Sequence, residues 1–387
     1  MTLLVYGGSF NPPHIGHISA ARAAAEALNP DKLLVIPANL PPHKAMAEGS
    51  PSAEERTELC SLAFESVPGA EICGMEIDRG GASYTSDTLR CLRRQYPGAR
   101  VTLLMGTDML ATLEHWHKHE FILQNASFAA VARSESERAA LEQAAERLRR
   151  GYGADVAVLS AEPVPASSTD IRAALPKRSG REYLTAGEYA RIIQKRLYGA
   201  RPELQWLRER AAEMLKPARV PHVLGCEQEA VKLAERWGAD ADDAAEAAIC
   251  HDITKKLSLP EQLLLCKKYG IIADEPERSS EKLLHAKTGA AVAGDIFGMS
   301  ETVCSAIRWH TTGRAGMSLL EKVIYMADYI EPTRAFDGVE PLRALAYEDL
   351  DAAMALGLEM SLQEVREKGA VPHPDSISAL AALKNGE

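Results

Sequence analysis

The chain has 387 residues, enough for two domains that each bury a core, with 46% hydrophobic and 25% charged residues. Its net charge is −10, but unevenly so: residues 1–200 carry 22 Lys and Arg against 23 Asp and Glu, and the remainder 22 against 31. An acidic chain without a basic stripe argues against a nucleic-acid partner, and no apolar run approaches the ~20 residues of a membrane span.

Seven scattered cysteines without a CxxC pair, behind an N-terminus with no cleavable signal, predict reduced thiols and a cytoplasmic location. In the first half, strands are predicted at 3–6, 32–36, 71–77, 101–105, 128–131 and 156–159, and helices at 15–28, 53–66, 86–95 and 135–151. That alternation predicts an α/β fold, a parallel sheet covered by helices, with ligands at the carboxyl ends of the strands. Beyond about residue 200, Ala- and Leu-rich amphipathic segments take over, as at 204–216, 222–237, 241–252 and 319–329. They predict an all-α second domain, with domains at 1–200 and 201–387. The sequence offers no handle on oligomeric state.

The first strand runs into Gly7-Gly8-Ser9-Phe10-Asn11-Pro12-Pro13-His14-Ile15-Gly16-His17. Glycines let backbone N–H groups approach a ligand, and the helix start that follows offers unpaired donors and positive potential. His14 and His17, three apart, project from one helix face. Two imidazoles beside a phosphate-ready backbone suit phosphoryl or nucleotidyl transfer, where positioning and charge stabilisation supply most of the catalysis. The segment resembles the HxGH signature of nucleotidyltransferases. Further along, Ala166-Ser167-Ser168-Thr169-Asp170-Ile171-Arg172 puts hydroxyls and a guanidinium at a helix start, a chemistry fit for a triphosphate. Lys44, in the proline-stiffened Pro41-Pro42-His43-Lys44, is a candidate phosphate clamp. Tyr84 and Thr85 lie in a capped helix start that suits a carboxylate, and Gly106 and Asp108 follow a strand. His115, His117 and His119 alternate, so on a helix they share no face, and they are expected to be solvated.

In order, GGSFNPPHIGH, PPHK, SYTSDTL, GTDML, Trp116 and SSTDIR make residues 1–198 similar to the nicotinate-nucleotide adenylyltransferase (NadD-type) family. The resemblance implies that the phosphate of nicotinate mononucleotide attacks the α-phosphate of ATP, with Mg²⁺ assisting and pyrophosphate leaving. Gly7, Gly8, Ser9 and Phe10 would form the nucleotide-binding turn, and His14 and His17 would stabilise the transferring phosphate. Ser168, Thr169 and Arg172 would hold the triphosphate. Tyr84, Thr85 and Trp116 would hold the pyridine ring and its carboxylate, with Asp108 near the ribose. Other acceptors of the same superfamily, phosphopantetheine or nicotinamide mononucleotide, are the alternatives.

In the second half, His222, His251-Asp252, His285, His310 and Asp328 mostly sit among apolar residues. Buried imidazoles and carboxylates need partners, and a metal satisfies several at once. Mixed N/O ligation fits iron or manganese, and a pair of ions about 3.5–4 Å apart would generate hydroxide and clamp a phosphate oxygen. The H…HD…D order, with AIRWHTTGR and IYMADYIEP, makes residues 203–375 similar to the YqeK-type HD family, symmetrical hydrolases of diadenosine tetraphosphate. The resemblance implies a dinuclear site on those six residues, cleavage to two ADP, and a polyphosphate grip by Arg314 ahead of Lys255, Lys256 and Arg308. A different nucleotide substrate, or a regulatory metal-binding module without turnover, are the alternatives. The implied architecture is a Rossmann-like nucleotidyltransferase sheet followed by an all-α HD domain.

Overall fold

The computed structural model describes residues 1–42, 45–132, 135–161, 164–165 and 167–385, folded as two compact units, Met1–Arg201 and Pro202–Glu387. The first unit alternates strand and helix: β1 (Thr2–Gly8), α1 (Ile15–Leu28), β2 (Lys32–Pro37), α2 (Ala53–Phe64), β3 (Ala70–Ile72), α3 (Met75–Arg79), α4 (Thr85–Gln95) and β4 (Arg100–Met105). It continues with α5 (Thr107–Ala111), α6 (His119–Asn125), β5 (Ser127–Ala132), α7 (Glu135–Tyr152), β6 (Val156–Ser160), α8 (Ser168–Ala174) and α9 (Ala186–Lys195).

The six strands form one parallel sheet in the order β3-β2-β1-β4-β5-β6, with Val5 in register with Leu34 on one side and Leu103 on the other. Side chains alternate across such a sheet, so each strand feeds two cores. Leu3 and Val5 pack with Leu34, Ile36 and Leu103 under α4 and α7, through Leu89, Leu92, Leu141 and Leu148. Leu4 and Tyr6 pack with Leu33 and Val35 under α1 and α2, through Ile18, Ala21, Ala63 and Phe64. The chain winds outward from β1 in both directions, which opens a crevice at the carboxyl ends of β1 and β4. The strand expected over 71–77 is corrected: β3 stops at Ile72, and after Gly74 the chain turns into α3. The apolar residues Met75 and Ile77 there serve a short helix rather than the sheet edge.

The second unit is helical: α10 (Leu204–Glu213), α11 (Val220–Trp237), α12 (Ala241–Cys250), α13 (Leu259–Tyr269), α14 (Glu275–Arg278), α15 (Glu281–Phe297), α16 (Glu301–Trp309), α17 (Leu319–Ile330), α18 (Val339–Glu348), α19 (Leu350–Glu367) and α20 (Pro374–Asn385). Here α11 packs on α12 and α17, and α15 on α16. Small residues let these helices approach: Ala244, Ala245, Ala247 and Ala248 of α12 are all buried, and a Cβ on Gly289 of α15 would meet the His251 carbonyl at 3.3 Å. Close backbones bring polar side chains from five elements to one point. Among the described residues no helix is long and apolar enough to cross a membrane.

Candidate active sites

In the first unit, the turn after β1 is held from beneath by Arg56 of α2. Its buried guanidinium donates to the carbonyls of Ser9 (2.7 Å), Ala38 (2.7 Å) and Asn39 (3.1 Å), tying the ends of β1 and β2 together. From above, Arg172 donates to the Asn11 carbonyl at 2.5 Å and Ser168 to the Pro12 carbonyl at 2.8 Å. The loop is therefore clamped by two arginines that grip backbone, not side chains, and its own N–H groups stay oriented.

His14 caps α1, its Nδ1 accepting from the Gly16 N–H at 3.1 Å. A Cβ on Gly16 would lie 2.9 Å from the His14 ring, so only glycine permits this cap. The acceptor role fixes the proton of a neutral His14 on Nε2. The His17 ring lies beside it, centroids 3.9 Å apart and planes tilted by 49°, and is 5.1 Å from the Phe10 ring. Gly7, Gly8, Ser9, Phe10, His14, His17, Gly106, Asp108, Ser168, Thr169 and Arg172 all line one cleft of about 520 Å³. Tyr84, Thr85 and Trp116 line a neighbouring recess of about 90 Å³ with Ser83, His117 and Ile122. Lys44 lies outside the described residues. The 115–119 segment is not one helix: His117 is exposed and its ring lies 4.5 Å from that of Tyr84, so it borders the recess.

In the second unit the six histidines and aspartates converge. Asp252, wholly buried at the end of α12, has one oxygen toward each of two histidine pairs. Its Oδ2 lies 3.3 Å from His251 Nε2 and 3.9 Å from His222 Nε2, and its Oδ1 lies 3.1 Å from His285 Nε2 and 3.8 Å from His310 Nε2. Asp328 Oδ1 of α17 stands 3.0 Å from His222 Nε2 and 3.8 Å from His251 Nε2.

The outward nitrogens are all but one accounted for. His251 Nδ1 donates to the Ala248 carbonyl (2.6 Å), His310 Nδ1 to the Ile307 carbonyl (2.7 Å) and His222 Nδ1 to Glu331 Oε1 (3.0 Å). In a neutral ring that leaves each Nε2 as a lone pair facing inward. Yet His222 and His251 bring their Nε2 atoms within 3.3 Å, and His285 and His310 within 3.1 Å. For His222 and His251, lone pair against lone pair is repulsive unless a proton or a cation lies between; His285, whose Nδ1 makes no hydrogen bond, can meet His310 with its proton on Nε2. This donor set, imidazole nitrogens and carboxylate oxygens meeting at His222/His251/Asp328 and at His251/Asp252/His310, fits a divalent metal.

Burial opposes charge throughout the cluster, and it wins at His285 and His310, holding both below the usual imidazole range. At His251 the Asp252 carboxylate outweighs burial and pushes the imidazole well up. Burial would also raise both carboxyls. It is outweighed at Asp252 by His251, His285 and Lys255, and at Asp328 by the His222 hydrogen bond, so both stay well below the carboxylate range.

Glu331, fully buried, orients His222 and is itself held by the Thr333 N–H at 2.7 Å. A Cβ on Gly225 of α11 would lie 2.5 Å from Glu331 Oε2, so glycine there makes room for the carboxylate. Lys255 Nζ sits 3.0 Å from Asp252 Oδ1, whereas Arg314 pairs at 3.0 Å with the buried Glu321 and Arg308 with Glu301. Lys256 donates to the Glu213 carbonyl. Arg56, Arg219, Arg334 and Glu331 escaped the sequence reading. For Arg56 there was a signal, a charge on the same stripe as Leu59, Cys60 and Ala63. A third group, Asp274, Glu277 and His373, also gathers ligand atoms, but Lys287 occupies Glu277 at 2.8 Å.

Residues 5–174 match the cytidylyltransferase-like family, and residues 219–333 match the HD domain. The chain is 38% identical over 184 residues to a probable nicotinate-nucleotide adenylyltransferase of Gemmatimonas aurantiaca, covering 47% of this chain and 83% of that one. It is 38% identical over 175 residues to the symmetrical bis(5'-nucleosyl)-tetraphosphatase of Bacillus subtilis, covering 45% of this chain and 94% of that one. The crystal structure of a predicted HD superfamily hydrolase involved in NAD metabolism, from Clostridium acetobutylicum, aligns at 36% identity and a TM-score of 0.46, over 47% of this chain and 97% of that one. With a nucleotidyltransferase sheet first and an HD helical unit second, the chain is a fusion that belongs to both the nicotinate-nucleotide adenylyltransferase family and the symmetrical bis(5'-nucleosyl)-tetraphosphatase family.

Proposed function

We propose that this is a bifunctional enzyme whose domains divide at about residue 200, one transferring an adenylyl group to nicotinate mononucleotide and the other hydrolysing diadenosine tetraphosphate. In the first reaction a phosphate oxygen of the mononucleotide bonds to the α-phosphorus of ATP, the α–β anhydride breaks and pyrophosphate departs; a Mg²⁺ ion would supply charge neutralisation on the triphosphate. The cleft over the GGSF turn receives the triphosphate, with Arg172, Ser168 and Thr169 as donors, and His14 and His17 face the charge that develops on the transferring phosphate. Gly106 and Asp108 border the ribose. The recess of Tyr84, Thr85 and Trp116 takes the pyridine ring, and Lys44 serves the phosphates. The supporting observation is that eleven of these residues line a single cleft.

In the second unit, His222, His251, Asp252, His285, His310 and Asp328 would together hold a pair of iron or manganese ions. Such a pair supplies Lewis acidity and an activated water. The protein's own part is to aim three of the four imidazoles, His251, His310 and His222, through the Ala248, Ile307 and Glu331 acceptors, and to exclude bulk water. The anhydride cleaved is the central one, which gives two ADP. Support for this reading comes from the two oxygens of Asp252, each facing a different histidine pair. A cytoplasmic setting with free ATP suits both reactions.

One experiment separates the readings: purified protein is given ATP with either the acid or the amide mononucleotide, and separately diadenosine tetraphosphate with Mn²⁺ or Fe²⁺. The acid is expected to be preferred, and ADP to be the sole nucleotide product of the tetraphosphate. Preference for the amide overturns the first assignment, and metal uptake without ADP release overturns the second.

A further inference from the structure

Two arginines crowd the carboxylates of the second unit, the buried Asp252 and the largely buried Asp328. Arg219 donates from Nε to Asp252 Oδ2 at 2.5 Å, and its Nη2 lies 3.7 Å from Asp328 Oδ1. That Nη2 is buried and makes no hydrogen bond. Arg334 donates from Nη2 to Asp328 Oδ1 at 2.7 Å and from Nε to the Asp328 carbonyl at 2.9 Å. The oxygens these arginines hold are the same atoms that face the histidine Nε2 lone pairs. The carboxylate of Asp252 has no exposure, while the arginine side chains are 26% and 33% exposed. Each arginine side chain is therefore partly open to solvent while its guanidinium serves the cluster.

We propose that Arg219 and Arg334 are exchangeable counter-ions: they hold Asp252 and Asp328 in the metal-free protein and hold the substrate's phosphate chain in the loaded one. This rests on reading the second unit as a phosphohydrolase. The physical reason is competition for one lone pair. A buried carboxylate gains from each cation beside it, so without a divalent ion Asp252 keeps Arg219 as well as Lys255, and Asp328 keeps Arg334. A divalent cation that takes the carboxylate satisfies it, and a guanidinium so released is a planar, always charged donor fork that suits phosphate. The orphaned Nη2 of Arg219 is a donor already in place for such an oxygen.

The proposal predicts two shifts of opposite sign in one variant. Removing the Arg219–Asp252 contact removes what the metal must displace, so Arg219→Gln is expected to bind Mn²⁺ roughly tenfold more tightly than the parent protein. The same variant, loaded with Mn²⁺, is expected to bind inorganic pyrophosphate roughly tenfold more weakly. Both are read by calorimetry on the full chain, with Asp252→Asn supplying the pyrophosphate binding that belongs to the first unit, for subtraction. Arg219→Lys, which keeps the charge, should stay near the parent in Mn²⁺ affinity. If Arg219→Gln does not fold, as judged by circular dichroism, Arg334→Gln is measured in the same way. Unchanged or weaker Mn²⁺ binding overturns the exchange, and unchanged pyrophosphate binding overturns the phosphate clamp. If instead the parent protein releases no ADP from diadenosine tetraphosphate while both shifts occur, the substrate reading fails and the exchange stands.

Discussion

The two units build their sites from opposite materials. In the first, main chain shapes the site: carbonyls gripped by Arg56 and Arg172, and a glycine turn that lines an open cleft of about 520 Å³. In the second, side chains do it: imidazoles and carboxylates buried between helices, with exposures of 6% or less for the four histidines. The first site depends on its scaffold as well as on the few side chains, His14 and His17 among them, that line the cleft. A site of buried side chains fails at any one of its members.

The sharpest way to break that contrast is Asp252→Asn. It is expected to lower tetraphosphatase activity by on the order of 10³ or more and to lose bound metal by elemental analysis, with adenylyl transfer unaltered. Parallel loss of transferase activity would mean the sites are not separable. Next in size is His17→Ala, for which a drop of roughly 10²–10³ in kcat for adenylyl transfer is expected, with tetraphosphatase activity intact. A change confined to KM would remove His17 from the transferring phosphate.

Arg56→Met tests the scaffold rather than the chemistry. Three carbonyls, that of Ala38 buried and those of Ser9 and Asn39 partly so, lose their donor, which should cost the first unit about 3 kcal/mol and be read as a lower melting temperature for that unit. That of the second unit should stay put. The smallest effect concerns Glu188 of α9, whose side chain is fully buried with Oε1 lacking a hydrogen-bond partner. Burial pushes its carboxyl well above the usual range, only partly offset by the Thr185 N–H. The unfolded chain gives up this proton near pH 4.3 and the folded chain at higher pH, so the contribution of Glu188 is greatest below about pH 4.3. It declines as pH rises toward the folded value. Glu188→Gln removes that decline, so the melting temperature of the first unit should fall less between pH 4.5 and 8 than in the parent. Equal slopes would show that the carboxyl ionises normally.

What could be read from residues alone follows the same division. The nucleotide turn is contiguous, so Gly7 to His17 were visible as one object, and the structure puts all of them but Pro12, Pro13 and Ile15 on the wall of one cleft. The six histidines and aspartates were visible for another reason, polar residues standing where the helical pattern calls for apolar ones. Arg56 was hidden because its partners are carbonyls 17, 18 and 47 residues away, and a carbonyl leaves no mark in a sequence. Glu331 stood inside the quoted IYMADYIEP, yet only the fold reveals that it faces His222, 109 residues earlier. Residues 71–77 misled because alternating apolar positions serve a three-residue edge strand and a short helix equally well.

Gly225 shows what such a centre costs its host. In the interior of an ordinary helix, alanine in place of glycine is worth about 1 kcal/mol. On α11 that methyl would occupy the hollow in which Glu331 stands against His222. The protein forgoes helix propensity at this position to keep one imidazole aimed, a concession that a chain optimised for thermal endurance alone would have no reason to make.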